Sequence, residues 1–173
     1  MPNWCYNNLT VTHKDPTRVQ AAIDAFHHGK FFEHFVPMPG EWQYDWCISN
    51  WGTKWDVGDN DADCELLDPN TAYFRFDSAW SPPIEVYRAM AAQGFEVEAY
   101  YQEIGMAFVG KVVADEDSFI EDYREYAGET SKTVRAVIGE ELDDYFEISA
   151  MMEQWEEDDS EEERLSSLPP HTD

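Results

Sequence analysis

Apolar and polar positions alternate with a period of two over residues 4–13, where Asn8, Thr10 and Thr12 interleave with Leu9, Val11 and His13. That period predicts a strand with one buried face. Asp15-Pro16 then predicts a helix start, and Val19, Ala22, Ile23 and Phe26 supply its apolar stripe up to Gly29. Phe31, Phe32, Phe35 and Val36 predict a short helical turn before the Pro37–Gly40 loop. A turn-rich acidic stretch from Asp56 leads to a short strand over Cys64–Leu67, and Thr71–Phe76 reads as a further strand. Ser81 is placed to cap a helix with Pro82 and Pro83 in its first turn, Ile84, Tyr87 and Ala91 as its stripe and Gly94 as its stop. Phe95–Tyr101 and Ala107–Ala114 read as two strands joined by a turn at Gly105.

The resulting order, β-α-loop-β-β-α-β-β, is the split βαβ arrangement of a ferredoxin-like α+β sandwich with its last strand extended into a hairpin. The character changes past Ala114. Asp115 is placed to cap a helix containing Phe119, Ile120 and Tyr123, which Gly128 breaks. Thr130 or Ser131 then opens a longer helix, with Val134, Val137, Ile138, Leu142, Tyr145, Phe146, Ser149 and Met152 on one face and Glu140, Glu141, Asp143, Asp144 and Glu147 opposite. The expected organisation is a core over 1–114, an acidic helical extension over 115–157 and a disordered tail over 158–173.

Charge sharpens this division. The 173 residues hold 11 Lys/Arg and 37 Asp/Glu, a net of −26. Residues 1–114 contribute 7 − 16 = −9, residues 115–165 contribute 4 − 20 = −16, and Asp173 supplies the rest. Such a chain repels nucleic acid and anionic membranes at long range and attracts basic surfaces. The absence of a signal-peptide pattern, of a membrane-length apolar run and of a paired-cysteine framework (Cys5, Cys47, Cys64) predicts a location in the bacterial cytoplasm.

Three blocks carry a family resemblance: Asn3-Trp4-Cys5-Tyr6-Asn7-Asn8-Leu9, Asn50-Trp51-Gly52-Thr53-Lys54-Trp55-Asp56 and Ser78-Ala79-Trp80-Ser81-Pro82-Pro83. A fourth runs from Tyr100-Tyr101 through Glu103 and Gly105 to Phe108–Gly110. Over residues 1–114 the chain resembles the Api92-like proteins of phages and plasmids. The resemblance implies a ferredoxin-like core and a phage or plasmid origin; it brings no catalytic residue with it.

Candidate chemistry is sparse. Asp59, Asp61, Asp63 and Glu65 resemble the start of a calcium-binding loop, but the sixth position is Cys64 rather than Gly and the twelfth is Asn70 rather than Glu. The cysteines and His27, His28 and His34 lack paired zinc-ligand spacing, so no metal or other cofactor is expected. No nucleophile elbow, phosphate loop or dinucleotide fingerprint occurs, and the chain is read as a non-enzyme. The exposed-aromatic mode of RNA recognition lacks its positive charge here, which argues against direct nucleic-acid binding.

Two readings of function follow. In the first, carboxylates three or four residues apart on a helix stand about 5–6 Å from each other and imitate the charge of a DNA backbone. Asp143, Asp144, Glu147, Glu153, Glu156 and Glu157 would then bind a host protein with a basic, nucleic-acid-binding surface, such as a restriction or CRISPR component, as a DNA-mimic-like inhibitor. In the second, Trp46, Trp51, Trp55 and Trp80 with Lys54 form an aromatic pocket for a small molecule such as a nucleotide signal. Against both stands the ordinary role of each feature, a solubilising acidic face and core-filling indoles.

Overall fold

The computed structural model describes residues 3–58 and 63–166. Its centre is a six-stranded sheet in the order β2-β3-β1-β4-β5-β6. Strand β1 (Trp4–Thr12) lies in the middle, antiparallel to β3 (Thr71–Ala79) on one side and to β4 (Glu96–Glu103) on the other. β2 (Asp63–Asp68) pairs antiparallel with β3, and β5 (Phe108–Ala114) with β4. The order 2-3-1-4 with helical crossovers after β1 and β3 is the ferredoxin-like arrangement, and β5 and β6 (Phe119–Glu125) extend it beyond β4.

Period-two alternation in β1 follows from its one-sided burial: Cys5, Asn7, Leu9 and Val11 are buried, while Trp4 and Tyr6 are exposed. Ala72, Phe74 and Phe76 of β3 and Val97, Ala99 and Tyr101 of β4 complete the buried sheet face. Helix α1 (Pro16–His27) contributes Val19, Ala22, Ile23 and Phe26 to that core. Asp15 caps it by accepting from the Thr17 N–H, with Pro16 at the first helical position. The short α2 (Phe31–Phe35) adds Phe31, Phe32 and Phe35, and α4 (Ile84–Ala92) adds Val86, Tyr87, Met90 and Ala91. Phe26, Phe31, Phe74 and Phe76 meet mostly edge-on, with centroids 4.6–6.2 Å apart.

Four local expectations need correction. The tryptophan-rich stretch contains a helix, α3 (Tyr44–Asn50). Ser81 does not cap α4; its Oγ donates to the Gly52 carbonyl instead. Residues 119–125 form an edge strand rather than a helix, because Asp115 Oδ1 accepts from the Asp117 and Ser118 N–H groups and turns the chain back beside β5. Finally, the predicted long helix is three: α5 (Val134–Ile138), α6 (Glu140–Phe146) and α7 (Ile148–Ser166). Gly139 (φ 87°) and Glu147 (φ 53°) break it, and α7 runs to Ser166, into the stretch 158–173 where a disordered tail was expected.

Contacts divide the chain into two compact units, one ending at Tyr123 and one beginning at Arg124. The second has its own small core of Val134, Ile138, Leu142 and Ile148. No helix of the described residues is long and apolar enough to cross a membrane.

Candidate functional site

The first three sequence blocks converge on one buried joint. Tyr87 Oη donates to Asn7 Oδ1 (2.9 Å), and Asn7 Nδ2 donates to the Cys5 carbonyl (2.8 Å) and to Ser78 Oγ (2.9 Å). Ser78 Oγ donates onward to the Ser81 carbonyl, and Thr53 Oγ1 to the Ala79 carbonyl, 2.8 Å away. The Trp80 N–H meets the Asn3 carbonyl at 2.9 Å. Gly52 (φ 84°) packs so closely on the helix entry that a Cβ would lie 3.1 Å from the Ile84 nitrogen. Each of these side-chain donors has a partner, and a buried polar network satisfied in this way positions backbone.

Trp51 belongs to the same frame. It is 2 % exposed, its Nε1 donates to the Val36 carbonyl, and Trp46 packs edge-on against it at 5.5 Å. Both indoles therefore fill core volume and do not join Trp55 and Trp80 in one pocket. Trp80 is exposed, at the positive φ of 74°, and stands outside the cavity described next.

That cavity, of about 410 Å³, is lined by Trp4, Trp55, Asp56, Val57, Gly58, Phe76, Asp77 and Ala79. The Trp4 and Trp55 rings stand 6.3 Å apart at 39°. Each is substantially exposed, 43 % and 38 %. Lys54 places its Nζ 4.3 Å from the Trp55 centroid and 5.8 Å from that of Tyr44, and the Trp42 indole donates to the Lys54 carbonyl. Asp56 ties the rim to α2, accepting N–H bonds from Phe32 (2.6 Å), Glu33 (2.9 Å) and Val57 (2.8 Å). Burial pushes its carboxyl up to about 6 against the opposing pull of those N–H groups. Two aspartates on the lining set the cavity against an anionic nucleotide.

Of the expected pocket residues, then, only Trp55 lines the cavity, and Lys54 contacts its ring. Trp4 and the two aspartates were missed. The alternation that buries Cys5 and Asn7 does put Trp4 on the opposite side of β1, so that signal was present.

The expected acidic residues separate into different roles. Asp143 is 1 % exposed: Oδ1 accepts from the Ser149 N–H, Oδ2 from Ser149 Oγ and from Arg135 Nη1. It holds α5, α6 and the start of α7 together. Burial pushes this carboxyl up, but the Ser149 and Arg135 bonds together leave it below the usual carboxylate value. Asp144 is exposed and shares Arg135, at 2.6 Å. Glu147 forms the left-handed break between α6 and α7. Glu156 accepts from the Ser131 N–H and Oγ, while Glu153 and Glu157 are exposed on α7.

Reactive groups are subdued. Burial pushes the Cys5 and Cys47 thiols up, and that of Cys64 to about 11, so none is poised as a thiolate at neutral pH. No three His, Cys, Asp or Glu side chains among the described residues converge as metal ligands; Asp59 and Asp61 of the stretch resembling a calcium loop lie outside those residues.

Sheet order, crossovers and core define a ferredoxin-like α+β protein. The particular lineage follows from comparison: a family model described as the ferredoxin-like domain in Api92-like protein matches residues 50–151, and the chain belongs to that family. A crystal structure of a protein api92 from Yersinia pseudotuberculosis is similar at 24% identity, covering 49% of this chain and 30% of that one, with a TM-score of 0.40. This chain thus spans less than a third of that protein's length. Comparison with curated proteins gives no match.

Proposed function

We propose that this chain is a non-enzymatic interaction protein of phage or plasmid origin, acting in the host bacterial cytoplasm. Its target is a host protein with a basic, nucleic-acid-binding surface, of the restriction or CRISPR kind, which it inhibits by standing in for DNA. One observation carries the reading. Residues 136–163 hold 13 Asp/Glu and no Lys/Arg, and the described part of α7 leaves Glu153, Glu156, Glu157, Asp158, Asp159 and Glu161 exposed along one helix. Like charges three and four apart repel along a helix, so a run of this kind opposes the helix that carries it. A cationic partner removes that repulsion.

The roles within the unit sharpen the assignment. Asp143 supports the unit, and Asp144 is partly neutralised by Arg135, which leaves Glu153 and Glu157 as the principal partner contacts. The nucleotide-pocket alternative has weaker support, because Trp46 and Trp51 are core residues and the cavity beside Trp55 carries Asp56 and Asp77.

The test is a pull-down from bacterial lysate with the full chain and with the reversed variant Glu153→Lys/Glu157→Lys/Glu161→Lys. The Debye length falls from about 10 Å at 0.1 M salt to about 3 Å at 1 M. The expected result is a nucleic-acid-binding protein held by the unmodified chain at low salt, released at high salt and displaced by duplex DNA. Equal capture by the reversed variant, or capture indifferent to salt and DNA, refutes the mechanism.

A further inference from the structure

We propose that the cavity beside Trp4 and Trp55 binds an organic cation, an alkylated ammonium or guanidinium head group. The lining supplies what such a group requires. Two indoles, whose π-systems attract cations, line the cavity, and Asp56 and Asp77 supply negative charge. Val57, Phe76 and Ala79 add apolar wall for the alkyl part. The volume of about 410 Å³ is that of a small-ligand site.

The molecule already shows that its Trp55 face attracts a cation, since Lys54 Nζ stands 4.3 Å from the ring centroid. Among the described residues the lining carries no basic side chain, and Lys54 is not part of it. The three N–H bonds that Asp56 accepts fix its carboxylate, and with it the adjoining rim, before any ligand arrives. A preorganised counter-charge strengthens binding because little ordering remains to be done. An inorganic cation would leave the indoles unused, and an anion would meet two carboxylates.

The site lies in the unit ending at Tyr123, so this proposal stands or falls separately from the acidic helix of the other unit. The experiment titrates the full chain with choline and follows the indole N–H signals of Trp4 and Trp55 by NMR. The neutral isostere 3,3-dimethyl-1-butanol and the anion AMP serve as controls. Choline is expected to shift both signals saturably and to bind about tenfold or more tighter than the isostere, the scale of a partly desolvated cation–π contact. Trp4→Leu and Trp55→Leu should each lose about tenfold. Both indoles are exposed enough for these variants to keep their fold, which circular dichroism checks. Equal binding of the isostere, preference for AMP, or no saturable shift at ~10 mM choline, beyond even millimolar affinity, overturns the proposal. A parallel titration with an Arg-containing tripeptide identifies the source: tighter peptide binding assigns the head group to a partner's side chain, tighter choline binding to a free small molecule.

Discussion

Replacing Gly110 by Ala tests how the sheet is closed around Tyr101. Glycine within a strand ordinarily costs about 0.5–1 kcal/mol relative to alanine, so at an open site the substitution would stabilise. Gly110 lies directly across from Tyr101 in the β4–β5 pair. A Cβ there would stand 2.4 Å from both Cζ and Oη of that tyrosine and 2.7 Å from Cε2. The ring has no free volume to retreat into: it is fully buried, with Phe108 edge-on at 6.3 Å. Its hydroxyl donates to Glu121 Oε1 at 2.8 Å, and burial with that carboxylate pushes the phenol up, so it stays a donor at ordinary pH. Overpacking of this kind costs about 1–3 kcal/mol. Loss of a hydrogen bond to a charged acceptor adds about 1.5–3 kcal/mol. Less the glycine's own disadvantage, the expected loss is about 2–5 kcal/mol. The assay is urea unfolding of the unmodified chain, Gly110→Ala, Tyr101→Ala and the double variant. With the ring removed, Gly110→Ala should turn neutral or stabilising by up to about 1 kcal/mol. A Gly110→Ala variant as stable as the unmodified chain would refute the packing argument.

Three further expectations rest on single sites. Trp80 holds φ 74°, a region costing an L-residue roughly 1–2 kcal/mol, so Trp80→Gly should be about 1 kcal/mol more stable than Trp80→Ala in thermal melts, against the usual order. Asp143→Ala should destabilise the second unit by about 1–3 kcal/mol by leaving the Ser149 N–H and hydroxyl without their acceptor, while Arg135 keeps Asp144. The Asp143 carboxyl lies below its ordinary 3.8 in the folded state, so its contribution is complete above that pH and fades as pH falls through the lower folded value. Asp143→Asn should flatten that acid limb of the melting curve. Asp56 runs the other way: with its carboxyl raised from 3.8 to about 6, its contribution is greatest below 3.8 and declines as pH rises towards 6. A carbon-13 titration of its carboxyl should show a midpoint near 6 and carry the Trp55 indole signal with it.

Most of the core was legible because burial on one side of a strand or helix leaves a period in the sequence. β1, α1 and the β4–β5 hairpin all show theirs, and the hairpin extension follows from it. The second unit was less legible for identifiable reasons. Asp115 accepts two N–H groups whether it opens a helix or closes a turn, and composition alone does not choose. A spacing of four survives the first break: Val134, Ile138 and Leu142 are buried across α5 and α6 much as they would be along one helix, whereas Ile148, six residues on, is buried outside the expected stripe. Glu147 gives no warning of its left-handed backbone, because what holds the junction is Asp143 reaching Ser149. At the cavity, nearness in sequence misled. Trp51 and Trp55 are one helical turn apart in number, yet one is core and the other rim. Trp4 comes from a strand some fifty residues earlier and is Trp55's actual neighbour.

The division of labour among the recognisable blocks bears on where function can vary. Asn7, Ser78, Ser81, Thr53 and Gly52 are the residues that make those blocks distinctive, and all are consumed in hydrogen bonds or close contacts that join β1, β3 and the entry to α4. Losing Asn7 would strand buried partners at about 1–3 kcal/mol, and a side chain at Gly52 would crowd the Ile84 nitrogen at a positive φ. Such positions hold a fold. The residues turned to solvent are Trp4 and Trp55 at the joint's rim in one unit and, separately, Glu153 and Glu157 of α7 in the other. Both surfaces complement positive charge, one as a cavity sized for a single head group and one as an extended array. A relative could exchange either set at little cost to the joint. Family membership therefore carries the architecture from one chain to the next, while the partner must be established for each chain from its rim and its acidic helix.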